Sequence, residues 1–393
     1  FRRWETNFQL RNHVRQYDYQ KELPLGSPCD EEDLRKNLGG FMVQGWPEDF
    51  SPWEFLIVPH YQSSSSSEMS TPKMCFIVRM HHVLGDGHSI TNLIMRDFAQ
   101  TDFKMQLPRR RGKSLWIEVP KILLFPIVGT WQLADNLVES YDSENCWHTW
   151  GKLSKEYYTS ISEPIQMEMV KEIKERYGVS VAAVLYTALC GGMRRVMEEA
   201  GQVIPESFAS FNPVPVRNHP PGLVNHISLM YVRWPLSIKA PIVRLKEINR
   251  NLKRLSSSTV SSVMFWLTQG NGLLPCWGQR AFHSRNYCTA ITSIYPTPST
   301  VPYLKGCPIL ESVIAIPLGP GQQGLSVMMM GTGGRVRVVA NIEKNISPPE
   351  DIFRNLGSYI TQELFWLYNA HNSSIADMIV FRPDEKCSRF KIH

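Results

Sequence analysis

The sequence predicts a mixed α/β protein built as two lobes. Three observations support this reading. At 393 residues the chain is longer than one hydrophobic core usually supports. Apolar runs of strand length alternate with helical patterns in both halves. Between residues 106 and 160 the character changes to a basic, then apolar, breaker-containing stretch. The expected division is an N-terminal lobe over 1–105, a crossover over 106–160 and a C-terminal lobe over 161–393. With 43% hydrophobic and 20% charged residues the chain is globular. Its net charge of +6 is too small and too spread to argue for nucleic acid, but suits contact with an anionic cosubstrate or membrane face.

Residues 1–22 mix aromatic and basic side chains, and Phe8 to Val14 reads as a short strand. Asp30 is an expected helix N-cap, with Glu31, Glu32 and Asp33 in the first turn. Trp53 to Val58 and Met74 to Met80 read as a strand pair, joined by the polar run Gln62 to Ser67 as a hairpin tip. Next comes His81-His82-Val83-Leu84-Gly85-Asp86-Gly87. It follows the strand ending at Met80 and precedes a helical pattern with Ile90, Leu93, Ile94 and Phe98 on one face. The two histidines therefore stand where a strand ends. Gly87 permits a tight turn or a close approach of another group to the backbone.

In the crossover, the basic stretch Leu107 to Lys113 precedes the apolar run Ile122 to Trp131. That run is too short, and holds a proline, so it should not span a bilayer. It reads either as a buried segment beside a basic linker or as a segment resting on a lipid surface. In the second half, helices are expected over Ile165 to Tyr177, stopped by Gly178, and from the N-cap Ser180 through Val196. Strands follow at Phe208 to Pro213, Ile227 to Trp234, Thr289 to Tyr295 and Ser312 to Pro317. A hairpin has arms Leu325 to Met330 and Arg335 to Asn341, turning at Gly331 to Gly334. A final helix runs from Pro349 to Tyr368.

The eight cysteines are scattered without a CxxC pair, which favours a reduced compartment. The triplets Asn345-Ile346-Ser347 and Asn372-Ser373-Ser374 keep a lumenal alternative open. The chain opens on Phe1 and is expected to be a fragment lacking its start, so the lack of a visible targeting segment carries little meaning.

The run from His81 to Gly87 is an HHxxxDG signature, and with it the chain resembles the coenzyme A-dependent acyltransferases of chloramphenicol acetyltransferase-like fold. Ser51-Pro52-Trp53-Glu54, Ser89, Pro213 to Arg217 and Leu223 to Leu229 narrow the resemblance to the bifunctional wax ester synthase/diacylglycerol acyltransferase family. It runs from about residue 8, where relatives carry an "hFxLxxHV" stretch, to about residue 370. The resemblance, not the pattern alone, implies a two-lobed sandwich of mixed sheets flanked by helices, with the active-site channel between lobes.

The resemblance further implies transfer of a long-chain acyl group from acyl-CoA to a fatty alcohol or diacylglycerol. No separate cofactor is expected, and a membrane or lipid-droplet surface facing the cytosol, at the endoplasmic reticulum or plasma membrane, is the implied setting. His82 is the implied general base; an imidazole titrating near pH ~6.5 suits that task. His81 is its neighbour in the catalytic motif, Asp86 holds the turn through an arginine such as Arg79 or Arg217, and Gly87 completes it. Ser89, Asn225 and backbone N–H groups at the helix start are candidate oxyanion or substrate contacts. Ser293 to Pro298 stands where many relatives have "SNVPGP", and Gly319 to Leu325 reads as a loop and not a phosphate cradle.

Other readings stay open here. The histidines with Asp86 and His88 could form a metal site, against which the lack of an HExxH-type partner speaks. The chain could also be a non-catalytic lipid-binding relative, or condense peptides on carrier proteins. The resemblance implies direct transfer with no Ser or Cys nucleophile, and none sits in a GxSxG context.

Overall fold

In the computed structural model, residues 5–62, 72–99, 125–139, 141–142, 145–148, 154–216, 218–279, 288–295, 297–318, 323–346 and 348–370 are described. The polar run past Gln62, the basic stretch 107–113, Ile122 to Leu124, Arg217, Pro296, residues 319–322, Ser347, the second glycosylation triplet and Cys387 lie outside them.

The first lobe centres on β3 (Trp53–Gln62). Strand β4 (Lys73–Met80) pairs antiparallel along one edge, and β1 (Val14–Gln16) and β2 (Cys29–Asp30) follow one another in parallel along the other. Leu56 and Val58 face the small core with Tyr17, Leu25, Cys29 and Phe41. Of the strand expected over Phe8 to Val14, only Val14 joins the sheet. Leu10–His13 forms a helical turn, α1, because buried His13 stacks on the Trp53 ring at 4.4 Å and its Nδ1 lies 2.8 Å from the Trp53 carbonyl. Helix α2 (Glu31–Val43) starts as expected. Asp30 accepts from the Asp33 N–H and Asp33 returns the bond, closing a capping box. Past the signature, α3 (Gly87–Asn92) widens into a π-helical turn over Leu93–Phe98. The crossover contains a helix, α4 (Phe125–Glu139).

The second lobe holds a seven-stranded mixed sheet in the order β5-β13-β12-β9-β7-β8, with β6 beside the start of β13. Its strands are β5 (Tyr157–Ile161), β6 (Ile165–Gln166), β7 (Ser207–Pro215), β8 (Ile227–Pro235), β9 (Ala290–Ile294), β12 (Leu325–Thr332) and β13 (Arg335–Glu343). Two short strands, β10 (Tyr303–Leu304) and β11 (Cys307–Pro308), pair separately. Strand β12 is buried along its whole length, and β13 everywhere but Arg335, as central strands covered on both faces must be. Gly333 and Gly334 both have positive φ, which lets the hairpin turn in two residues and extends its arms to Thr332 and Arg335.

Against this sheet pack α5 (Met167–Tyr177), α6 (Val181–Glu199) and α7 (Pro241–Ser257), then α9 (Glu350–Phe353) and α10 (Leu356–Asn369), forming the main core. Helix α8 (Val260–Asn271) lies on β8 beside α4. Two expectations change. Ser312 to Pro317 forms no ladder, because both edges of β12 are taken by β9 and β13. The last helix breaks at Arg354-Asn355, where the Arg354 carbonyl accepts from the Ser160 hydroxyl.

The lobes are joined partly by charge. Arg337 on β13 meets Glu31 of α2 at 2.7 Å and Glu311 at 2.8 Å, and Arg35 of α2 reaches the Thr159 carbonyl and Glu350. Hydrogen bonding to Arg35 holds the Glu32 carboxyl down to about 2.

Candidate active site

The signature turn leaves β4 at Met80 and enters α3 at Gly87, and the second lobe runs along it from His219 to His226. The Asp86 N–H donates to the Val224 carbonyl at 3.0 Å. The Ser89 hydroxyl donates to the same carbonyl at 2.8 Å and accepts from the Val224 N–H at 3.2 Å. The Asn225 amide donates to the His82 carbonyl at 2.8 Å. Two lobes thus hold one turn, by one backbone-to-backbone bond from Asp86 to Val224 and by three that run through the Ser89 and Asn225 side chains.

Asp86 is fully buried. It caps α3 by accepting from the Ser89 N–H at 2.8 Å, and its other oxygen accepts from the His226 N–H at 2.7 Å and lies 2.8 Å from His219 Nε2. Burial alone would push this carboxyl up; the hydrogen bonds from His226, Ser89 and His219 outweigh it and hold it below the ordinary carboxylate value. Among the described residues the side chain that meets Asp86 is a histidine, His219, and not Arg79; Arg217, the other expected candidate, lies outside them. Arg79 is committed to Glu54 and to the Phe41 and Gln44 carbonyls, which leaves it turned away from Asp86.

The sequence did not single out His219, and around it the structure assembles two further imidazoles. His88 lies against it with centroids 4.3 Å apart, and His226 meets it edge-on at 5.5 Å with Phe265 of α8 behind. Burial, and then the neighbouring His219, lower the His88 pKa. The available signal was His219 in Asn218-His219-Pro220-Pro221, a histidine fixed by prolines in a loop between two strands. Tyr295 was read as the end of a strand. Its ring instead covers Gly87, where a Cβ would lie 2.5 Å from the ring carbon Cε1 and from the hydroxyl oxygen. That contact explains the glycine.

The other end of the turn is open. His81, His82 and Val83 are exposed. His81 Nδ1 accepts from the Val83 N–H at 3.1 Å, folding that ring onto its own turn. The His82 ring makes no hydrogen bond to any described residue, so its lone pair is available to a proton from outside. Ser89 and Asn225, in contrast, each commit a donor to the Val224 or His82 backbone. In this arrangement both brace the turn; the Ser89 hydroxyl hydrogen is spent on it, while the exposed Asn225 amide carries a second N–H, its nitrogen 3.4 Å from the Val83 carbonyl. Among the described residues, no group of three or more His, Cys, Asp or Glu is placed to hold a metal.

Residues 223–362 match the family described as the WS/DGAT C-terminal domain. Over 376 residues the chain is 27% identical to proteins of two Mycobacterium tuberculosis strains assigned as diacylglycerol O-acyltransferases, covering 85% of this chain and 70% of theirs. Among solved structures, the wax ester synthase/diacylglycerol acyltransferase from Marinobacter aquaeolei superposes with a TM-score of 0.59 at 14% identity, over 93% of this chain and 82% of that one. The first condensation domain of the calcium-dependent antibiotic synthetase superposes at 0.51 with 13% identity, over 90% and 75%. These likenesses show the fold: the two-lobed sandwich expected from the signature is the architecture observed.

Proposed function

We propose, from the premise that this chain is an acyltransferase related to the WS/DGAT family, that it moves a long-chain acyl group from acyl-CoA to a fatty alcohol or diacylglycerol. The products are wax esters or triacylglycerols. His82 is the general base. The observation that carries this is the contrast within one turn: His82 is exposed and unbonded at the strand exit, while Asp86, four residues on, is buried and tied to the other lobe.

His82 takes the hydroxyl proton of the acceptor as its oxygen attacks the thioester carbonyl. The tetrahedral intermediate collapses with cleavage of the C–S bond, and the departing coenzyme A thiolate recovers the proton from His82. Atoms and charge balance without a protein nucleophile, a metal or a separate cofactor. Asp86, Gly87, Ser89 and Asn225 act by holding the turn, and His81 by closing it.

We also assign the enzyme to a lipid surface, cytosol-facing, at the endoplasmic reticulum or plasma membrane. What supports the surface is an apolar outer face on α4, α8 and the residues after α8. Ile127 is 72% exposed, Trp131 74%, Trp266 66% and Trp277 75%. Tryptophans so placed suit the boundary between headgroups and acyl chains. No single described helix is long and apolar enough to cross a membrane.

The test is turnover of palmitoyl-CoA with hexadecanol and with dioleoylglycerol by the purified chain and its His82→Ala variant. Loss of a general base is expected to lower kcat by about 10²–10⁴-fold, with the thermal melt close to unchanged because His82 is exposed and its ring makes no hydrogen bond to a described residue. Full turnover by His82→Ala overturns the assignment.

A further inference from the structure

We propose that His219 is a positioning residue of the transfer reaction: an imidazolium supplied by the second lobe that clamps Asp86 and so sets the aim of His82. The proposal rests on His82 being the base. It begins from what each ring nitrogen faces. Nε2 lies 2.8 Å from an Asp86 carboxylate oxygen, and Nδ1 lies 2.8 Å from the Pro220 carbonyl oxygen. Both oxygens only accept. A neutral imidazole has one N–H and would leave one of these contacts as two facing lone pairs; the protonated ring satisfies both. The His219 side chain is 2% exposed and Asp86 is at 0%, so the contact between Nε2 and the carboxylate is closed to water, while the Pro220 carbonyl lies on the exposed side of the ring.

The groups around the ring fit a cation there. Asp86, on the turn, is its counter-charge. His88, on α3, accepts from the Asn92 amide through Nε2 at 2.9 Å, which makes it a neutral ring lying against the charged one. His226, at the head of β8, gives its backbone N–H to the same Asp86 oxygen that His219 reaches. The His219–Asp86 contact spans 133 residues of sequence and joins the two lobes at the one turn that carries the base. Four residues separate the clamped carboxylate from His82, so a shift of Asp86 is passed to the base through a short, tightly turned backbone.

The experiment uses the purified full chain with palmitoyl-CoA and hexadecanol, measuring kcat and KM separately for His219→Ala and His219→Gln. A glutamine amide can give Asp86 one N–H without charge. His219→Ala is expected to lower kcat on the order of 100-fold, the loss that an ångström-scale misplacement of a reacting group causes, and to leave KM for palmitoyl-CoA unchanged. His219→Gln is expected to recover most of kcat. Side-chain ¹⁵N spectra of histidine-labelled protein, with the His219 signals assigned from their loss in His219→Gln, are expected to show both nitrogens protonated at pH 7. Wild-type kcat in His219→Ala overturns the clamp. Equal impairment of both variants with a matching fall in melting temperature also overturns it, since the ring would then only fill space. His82→Ala, measured alongside, separates the two ideas. Its activity reports on the base alone, and the spectra report on the clamp whether or not the base assignment stands.

Discussion

The two ends of the turn from His81 to Gly87 are built on opposite principles. At the Asp86 end every polar atom is spent: one oxygen caps a helix, the other gathers a backbone N–H and a ring from the second lobe, and Tyr295 seals Gly87. At the histidine end the backbone is held but, of the two rings, only that of His81 is hydrogen-bonded to a described residue, within its own turn. Rigidity and reactivity are thus divided between positions four residues apart. A buried, satisfied carboxylate holds the backbone so that an unsatisfied ring can face substrate without being fixed by contacts of its own. The contrast predicts that substitutions at the Asp86 end cost both stability and turnover, while those at the histidine end cost turnover first.

The largest effect is expected from Asp86→Ala. It removes three hydrogen bonds at once and leaves His219 facing a void. Removing one member of a buried charged pair typically costs about 3–5 kcal/mol, so turnover should fall below detection and the melting temperature should drop. Calorimetry of the variant beside His82→Ala checks this. If both melt like the wild type, the division between the ends fails. The sign with pH follows from the lowered carboxyl. A group whose folded pKa lies below its unfolded value stabilises fully above the unfolded value, about 3.9 for Asp. Its contribution is then lost as pH falls through the folded value. The anchor is therefore intact across the neutral range, and Asp86→Asn should narrow its deficit against wild type only in acid.

Next in size is Gly87→Ala. The added methyl would overlap the Tyr295 ring, and overpacking of this kind costs about 1–3 kcal/mol. Activity should fall with stability, and Tyr295→Ala in the same chain should restore part of both, because it removes the obstructing ring. No recovery in the double variant, measured by melting and by turnover, would mean that the glycine serves backbone geometry and not the close approach.

What the sequence made legible follows the same division. The capping box at Asp30, the stop at Gly178, the N-cap at Ser180 and the Gly333-Gly334 turn were readable because each is decided by residues within a few positions of itself. The position of His82 at a strand exit was readable for the same reason. The Asp86 partner was not. His219 is 133 residues away, and only the folding of one lobe against the other makes them neighbours. Ser312 to Pro317 failed likewise: its apolar pattern suits a strand, but whether a strand forms depends on a free edge, and β12 had none left. Helices α7 and α8 were passed over between the strand signals on either side, although Pro241 at the first position of α7 was a start signal.

The smallest effect is expected at His81, and it tests the comparison most finely because His81 shares the open end with His82. Its ring accepts one hydrogen bond from the N–H two residues on. That bond closes the turn locally, as asparagine side chains do when they accept from the backbone two positions ahead. An exposed bond of this kind contributes about 0.5–1.5 kcal/mol at most, so His81→Ala should soften the aim of the turn, lowering kcat several-fold less than His82→Ala and leaving the melt close to wild type. His81→Asn can remake the same bond with no imidazole and should recover the lost rate. Were His81→Asn instead as inactive as His82→Ala in the palmitoyl-CoA assay, the first histidine would be handling a proton itself, and the open end would hold two reactive rings where the hydrogen bonding allows one.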